Sequence, residues 1–119
     1  MRKVFIAATH QNEGKTTLSL GLLAALQNRG LDVGFIKPVG QRYMEVNGQK
    51  IDEDAVLVAA VMDREEELAA MSPIAVESRF TREYIDAPRP DDLLDRITAA
   101  FHQVSQGRDF MVIEGTGHA

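Results

Sequence analysis

The segment Thr9-His10-Gln11-Asn12-Glu13-Gly14-Lys15-Thr16-Thr17 constrains this chain more than any other stretch. The apolar run Val4-Phe5-Ile6-Ala7-Ala8 precedes it, and Leu18-Ser19-Leu20-Gly21-Leu22-Leu23 follows it. That order predicts a buried strand, a tight loop and then a helix. In a loop of this kind the backbone N–H groups point inward, and the helix N-terminus adds a dipole that favours anions. Gly14-Lys15-Thr16 therefore reads as the end of a phosphate-binding loop. Lys15 would bridge terminal phosphates, and the Thr16 hydroxyl would ligate magnesium. His10, Gln11, Asn12, Glu13, Gly14, Lys15, Thr16 and Thr17 are the expected nucleotide-binding residues. The usual pattern opens on glycine, and Thr9 stands at that place. The plainer alternative is an ordinary helix start with an exposed lysine.

The elements that follow place other candidates at the same end of a sheet. Residues 3 to 8 read as a strand covered on both faces. Residues 15 to 29 read as a helix with Leu18, Leu22, Ala25 and Leu26 on one face, closed by Gly30. Val33 to Lys37 is a second strand stopped by Pro38, so a right-handed strand-helix-strand unit opens the chain. Residues 40 to 50 read as a polar loop or hairpin turning at Asn47-Gly48. Asp52 is placed to cap a helix carrying Ala55 to Met62, and the charge-rich stretch 63–70 reads as a helix or solvated turn. Residues 72 to 90 read as irregular, with Pro73, Pro88 and Pro90. A helix then starts at Pro90 or Asp91, with Leu94, Ile97, Phe101 and Val104 on one face and Gly107 past its end. Phe110 to Ile113 is a third buried strand ending at Glu114. Alternating strands and helices predict an α/β fold with a parallel sheet, whose ligands sit beyond the carboxyl ends of the strands.

The chain has 119 residues, enough for one domain over 1–119. Its net charge of -5 argues against a nucleic-acid surface. It has no cysteine, which removes disulfides, a thiolate nucleophile and cysteine-ligated zinc. No run is apolar enough for a signal peptide or a membrane span, so a cytoplasmic protein is expected.

Glu114 ends an apolar strand, where a carboxylate can hold magnesium directly or through water. Lys37 closes a strand at the same sheet edge. It could hold a substrate carboxylate, stabilise charge on a transferred phosphoryl group, or simply face solvent. Asp52 and Asp54 are read as helix caps or metal ligands, with Asp54 the stronger ligand candidate. His10, His118, Arg42, Arg79, Arg82 and Arg89 carry weaker signals, and Glu65-Glu66-Glu67 reads as a solvated face.

Gly14-Lys15-Thr16, then Lys37-Pro38-Val39, Asp54 and Glu114-Gly115-Thr116-Gly117, in that order, resemble the dethiobiotin synthetase family and its relatives. Those relatives include the cobyrinic acid a,c-diamide synthase group and the similar domain fused to some phosphate acetyltransferases. The resemblance implies a phosphate-loop NTPase-like three-layer sandwich, of which this chain is the N-terminal half. It implies ATP and Mg2+ as cofactors, with Thr16, Asp54 and Glu114 around the metal and Lys15 and Lys37 as the catalytic cations. It implies activation of a small-molecule carboxylate or carbamate by phosphorylation, followed by amide or ring closure. A nucleotide-sensing regulatory role is the other function it carries. Gly40-Gln41-Arg42-Tyr43 and Gly115-Thr116-Gly117-His118 depart from the synthetase pattern where that enzyme holds its diamine. With three strands, an open sheet edge is expected to be covered by a homodimer or by further chain, and the adenine pocket is expected to be incomplete.

Overall fold

The computed structural model describes residues 2–6, 15–40, 43–75 and 90–115, the side chains of Lys15, Pro90 and Asp91 excepted. β1 (Arg2–Ile6) is followed by α1 (Lys15–Asn28) and β2 (Val33–Ile36). A short β3 (Val39–Gly40) leads to the hairpin of β4 (Tyr43–Val46) and β5 (Gln49–Asp52). Next come α2 (Glu53–Met62), a 3-10 turn (Glu65–Glu67), α3 (Leu68–Met71) and β6 (Ile74–Ala75). The long helix α4 (Pro90–Ser105) then feeds β7 (Phe110–Glu114).

The main sheet is parallel and ordered β1-β7-β2. The last strand is thus inserted between the first two, with Ile6 beside Glu114 and Ile36 beside Ile113. Val33, Phe35, Ile36, Met111 and Val112 are buried to 1% exposure or less, as a two-sided sheet interior requires. β1 does not share that burial. It pairs on one side only among the described strands, and Phe5 is 63% exposed. The expectation that the first strand is covered on both faces is therefore corrected.

The helix face of α1 is also corrected. Leu18 is 61% exposed, and the buried positions are Ser19 and Leu23, with Leu22 and Leu26 partly covered. The face expected from sequence held Leu18, Leu22, Ala25 and Leu26; Leu22 and Leu26 pack against the core, whereas Leu18 and Ala25 are exposed. The fold turns Ser19 inward because its hydroxyl has a partner there. On α4, Ala100 and Val104 are buried while Leu94 is 62% exposed. The hairpin stands as read: Asn47 (φ 51°) and Gly48 (φ 81°) supply the two left-handed residues of its tight turn. Part of the stretch read as irregular forms β6, whose Ile74 and Ala75 pair in parallel with Val39 and Gly40.

At the amino ends of the strands, an ion-pair network ties three connections together. Arg108 reaches Asp32 at 2.8 Å and Glu67 at 2.6 Å, while Arg64 donates to the Val33 carbonyl and lies 3.4 Å from Asp32. Both guanidinium groups are mostly covered. Replacing Arg108 by Ala is expected to cost about 1–2 kcal/mol in urea denaturation, because Glu67 would keep only its longer contact to Arg64.

Candidate functional site

β2 and β7 deliver Lys37 and Glu114 to the same carboxyl edge, and the first turn of α1 lies beside them. Lys37 follows the last residue of β2, where Pro38 stops the strand. Its backbone N–H donates to the Met71 carbonyl at 2.8 Å, which fixes where its side chain starts. The ammonium Nζ then sits among three carboxylates: 2.5 Å from Asp54 Oδ2, 3.3 Å from Glu114 Oε2 and 3.5 Å from Asp52 Oδ2. The Lys37, Asp52 and Glu114 side chains are 8%, 1% and 0% exposed, whereas Asp54 is 32% exposed. Lys37 is therefore a buried ion-pair member and not a solvated surface lysine.

Asp52 does two jobs at once. It is the N-cap of α2, with Oδ2 accepting the Asp54 N–H at 2.8 Å, and it is an ionic partner of Lys37. Its own N–H donates to Ser72 Oγ at 2.9 Å. Its Oδ1 is buried with no hydrogen-bond partner among the described residues. Glu114 is held by hydroxyls of α1: Ser19 Oγ donates to Oε1 at 2.9 Å, and Thr16 Oγ1 lies 3.5 Å from Oε2.

Burial pulls against the charges here. Removal from water raises the Asp52 and Glu114 carboxyls above their ordinary range, and the neighbouring Asp54 carboxylate adds to both. Asp54 is pushed up by burial too, but the hydrogen bond from Lys37 and contacts with Glu114 and Thr16 outweigh that and hold it low. Burial alone would lower Lys37; the hydrogen bond to Asp54 and the three nearby carboxylates prevail and hold the ammonium above its ordinary value. Of the adjoining pair Glu114 and Asp54, Glu114 is thus the one that takes a proton more readily.

One ammonium faces three carboxylates, so the cluster carries excess negative charge when all are ionised. No group of three His, Cys, Asp or Glu among the described residues forms a metal cage by itself. Thr16, Asp54 and Glu114 instead offer one hydroxyl and two carboxylates, all hard oxygen donors. Magnesium takes few protein ligands of this kind and completes its shell with water and phosphate. The donor set and the surplus charge fit such an ion.

The sequence profile of the AAA domain family matches residues 2–119, nearly the whole chain. The chain belongs to that family. The AAA domain is 32% identical to a phosphate acetyltransferase of Nitrosomonas europaea over 97% of its own length and 15% of that protein's. It is 31% identical to the ATP-dependent dethiobiotin synthetase BioD 2 of Salmonella typhimurium, over 98% of its length and 49% of the synthetase. A dethiobiotin synthetase of Caldicellulosiruptor saccharolyticus matches at 26% over the same shares. The AAA domain thus spans about half of the synthetases it resembles and about a sixth of the acetyltransferases.

Of the residues expected from sequence, the AAA domain brings Thr16, Lys37, Asp54 and Glu114 together. Lys15 begins α1, and Thr17 follows it on an exposed part of the first turn. His10, Gln11, Asn12, Glu13 and Gly14 lie outside the described residues, as do Arg42, Arg79, Arg82, Arg89, Gly117 and His118. Ser19, Ser72 and Gly40 were missed. Ser19 had a signal: a lone hydroxyl three residues after Thr16, on the same helix face, inside an apolar run. Ser72 and Gly40 had none, because their roles depend on the packing of α3 and β3 against Asp52.

Proposed function

We propose that this chain is the ATP- and magnesium-binding part of a ligase-type enzyme. It would activate a carboxylate or carbamate by phosphorylation, for closure with an amine to an amide or cyclic urea. The Lys37 ammonium held beside Thr16, Asp54 and Glu114, at the sheet end next to the start of α1, carries this reading. The relatives named ATP-dependent dethiobiotin synthetase support it. A substrate carboxylate oxygen would attack the terminal phosphorus while the bond to the ADP oxygen breaks. The amine would then attack the resulting mixed anhydride and expel phosphate, losing one proton to solvent. Lys15 and Lys37 would stabilise the charge that builds on the transferred oxygens. Thr16, Asp54 and Glu114 would hold magnesium, which would supply charge neutralisation at the phosphates. Ser19 keeps Glu114 oriented.

Titration calorimetry of ATP with magnesium tests the reading. Lys15→Ala is expected to bind about 10- to 100-fold more weakly than wild type, the equivalent of roughly 1.4–2.7 kcal/mol. Absence of binding by the wild-type protein would sink it. A regulatory, nucleotide-sensing role is the second reading, favoured by the phosphate acetyltransferases among the relatives. Tight binding without turnover of any carboxylate would select it. A homodimer using the edge of β1 that is unpaired among the described strands, where Phe5 is exposed, goes with either reading and is checked by light scattering. A cytoplasmic location goes with the use of ATP and is checked by fractionation. No helix among the described residues is long and apolar enough to cross a membrane.

A further inference from the structure

A cavity lies beside Ser72, the serine that accepts the Asp52 N–H. It measures about 370 Å³ and is walled by the β5 residues Gln49, Lys50 and Ile51, by Ala69 and Ser72 at α3, by Pro73 and Ala75, and by Arg96 of α4. That volume suits a compact small molecule. Among the described residues its lining holds two cations and no carboxylate, in a chain with 18 acidic and 13 basic residues. A wall of this sign runs against the charge balance of the molecule.

The cations are not used up by the fold. Lys50 stands opposite Glu45 in the hairpin, yet its ammonium forms no ion pair there and lies 5.0 Å from the centre of the Tyr43 ring. Arg96 spends one Nη2 bond on the Pro73 carbonyl at 2.8 Å, which anchors the guanidinium while other N–H groups remain. Among the described residues, neither cation has a carboxylate partner. Ser72, only 4% exposed, accepts the Asp52 N–H at the cavity wall. A hydroxyl that accepts one hydrogen bond still carries a proton of its own to donate. Arg96, Lys50 and Ser72 all line this cavity, and a guanidinium fork, an ammonium within reach from the Tyr43 ring and a hydroxyl match the oxygens of a carboxylate or phosphate.

From this we infer that the cavity between β5, α3 and α4 binds a compact organic anion with a carboxylate or phosphate head, held by Arg96, Lys50 and Ser72. The site differs from the ionic cluster, since Thr16, Lys37, Asp54 and Glu114 do not line it. It does not depend on the proposed ligase function.

Titration calorimetry of the purified protein with inorganic phosphate and with succinate, at ionic strength matched with potassium chloride, tests the site. One of the two probes is expected to bind at a single site with a dissociation constant on the order of 1 mM or tighter. Binding should survive Lys15→Ala, which disables the phosphate loop, and should weaken about tenfold or more in Arg96→Gln. Because Arg96 also holds the Pro73 carbonyl, Lys50→Gln serves as the second variant; its exposed side chain gives up only the contact with the Tyr43 ring, and the same weakening is expected. Absence of saturable binding by either probe overturns the site. So does binding that Lys15→Ala abolishes while Arg96→Gln and Lys50→Gln leave it unchanged, or binding that chloride displaces equally well.

Discussion

Lys37→Met is expected to destabilise the protein by about 3–5 kcal/mol when divalent ions are chelated. Methionine nearly matches the length of lysine, so the loss would not come from a cavity. It comes from leaving Asp52 and Glu114, both essentially unexposed, beside Asp54 without their shared cation. Removing one partner from a buried ionic cluster costs more than the cluster contributes over an apolar core, because the remaining charges stay desolvated. Magnesium at about a hundred times its dissociation constant should return roughly 2.7 kcal/mol, by binding the folded state alone. Urea midpoints with EDTA and with magnesium read both effects. A change below about 1 kcal/mol in EDTA would mean that the cluster protonates and relaxes at little cost. Asp54→Asn should cost less than Lys37→Met, since Asp54 is a third exposed and two carboxylates still face Lys37.

Gly40→Ala is the second large effect, about 3 kcal/mol, at the upper end for overpacking. A Cβ at residue 40 would lie 2.2 Å from Asp52 Oδ1 and 2.6 Å from Asp52 Cβ and Cγ. Asp52 cannot swing away freely. Its Oδ2 caps α2, its N–H is tied to Ser72, and its carboxylate faces Lys37. The clash would therefore be shared by the β3–β6 pair, the start of α2 and the Lys37 cluster. Unlike Lys37→Met, this loss is steric, so magnesium should restore little of it. Equal urea midpoints for Gly40→Ala and wild type would show that β3 can shift away from α2.

These two residues show where sequence reasoning ran out. Thr16, Lys37 and Glu114 were legible because strand ends and helix starts are written in local patterns, and a parallel sheet gathers them at one edge. The Asn47-Gly48 turn was legible for the same reason: the backbone geometry needs those residue types. Asp52 was legible only as a cap. Its part in the ionic cluster depends on Lys37, delivered by a strand outside its own segment, and Gly40 becomes necessary only once Asp52 is packed against it. Leu18 was misread because hydropathy cannot show that Ser19, one position on, faces Glu114 from an element 95 residues away. The exposure of Phe5 was invisible for a related reason: an apolar strand reads the same whether it is paired on one side or on both.

The placement of β7 between β1 and β2 also sets an order in time. β1 and β2 make no hydrogen-bonded pair with each other, and Thr16 waits for a carboxylate 98 residues further on. At roughly 5–20 residues per second of synthesis, the first helix spends several seconds outside the ribosome before its sheet can close. Long loops must close before those contacts repay their entropy. The strand that completes the sheet is also the strand that carries Glu114. A chain released before β7 emerges would therefore lack both the central strand of the sheet and the Glu114 carboxylate, and Lys37 would have only Asp52 and Asp54 to pair with.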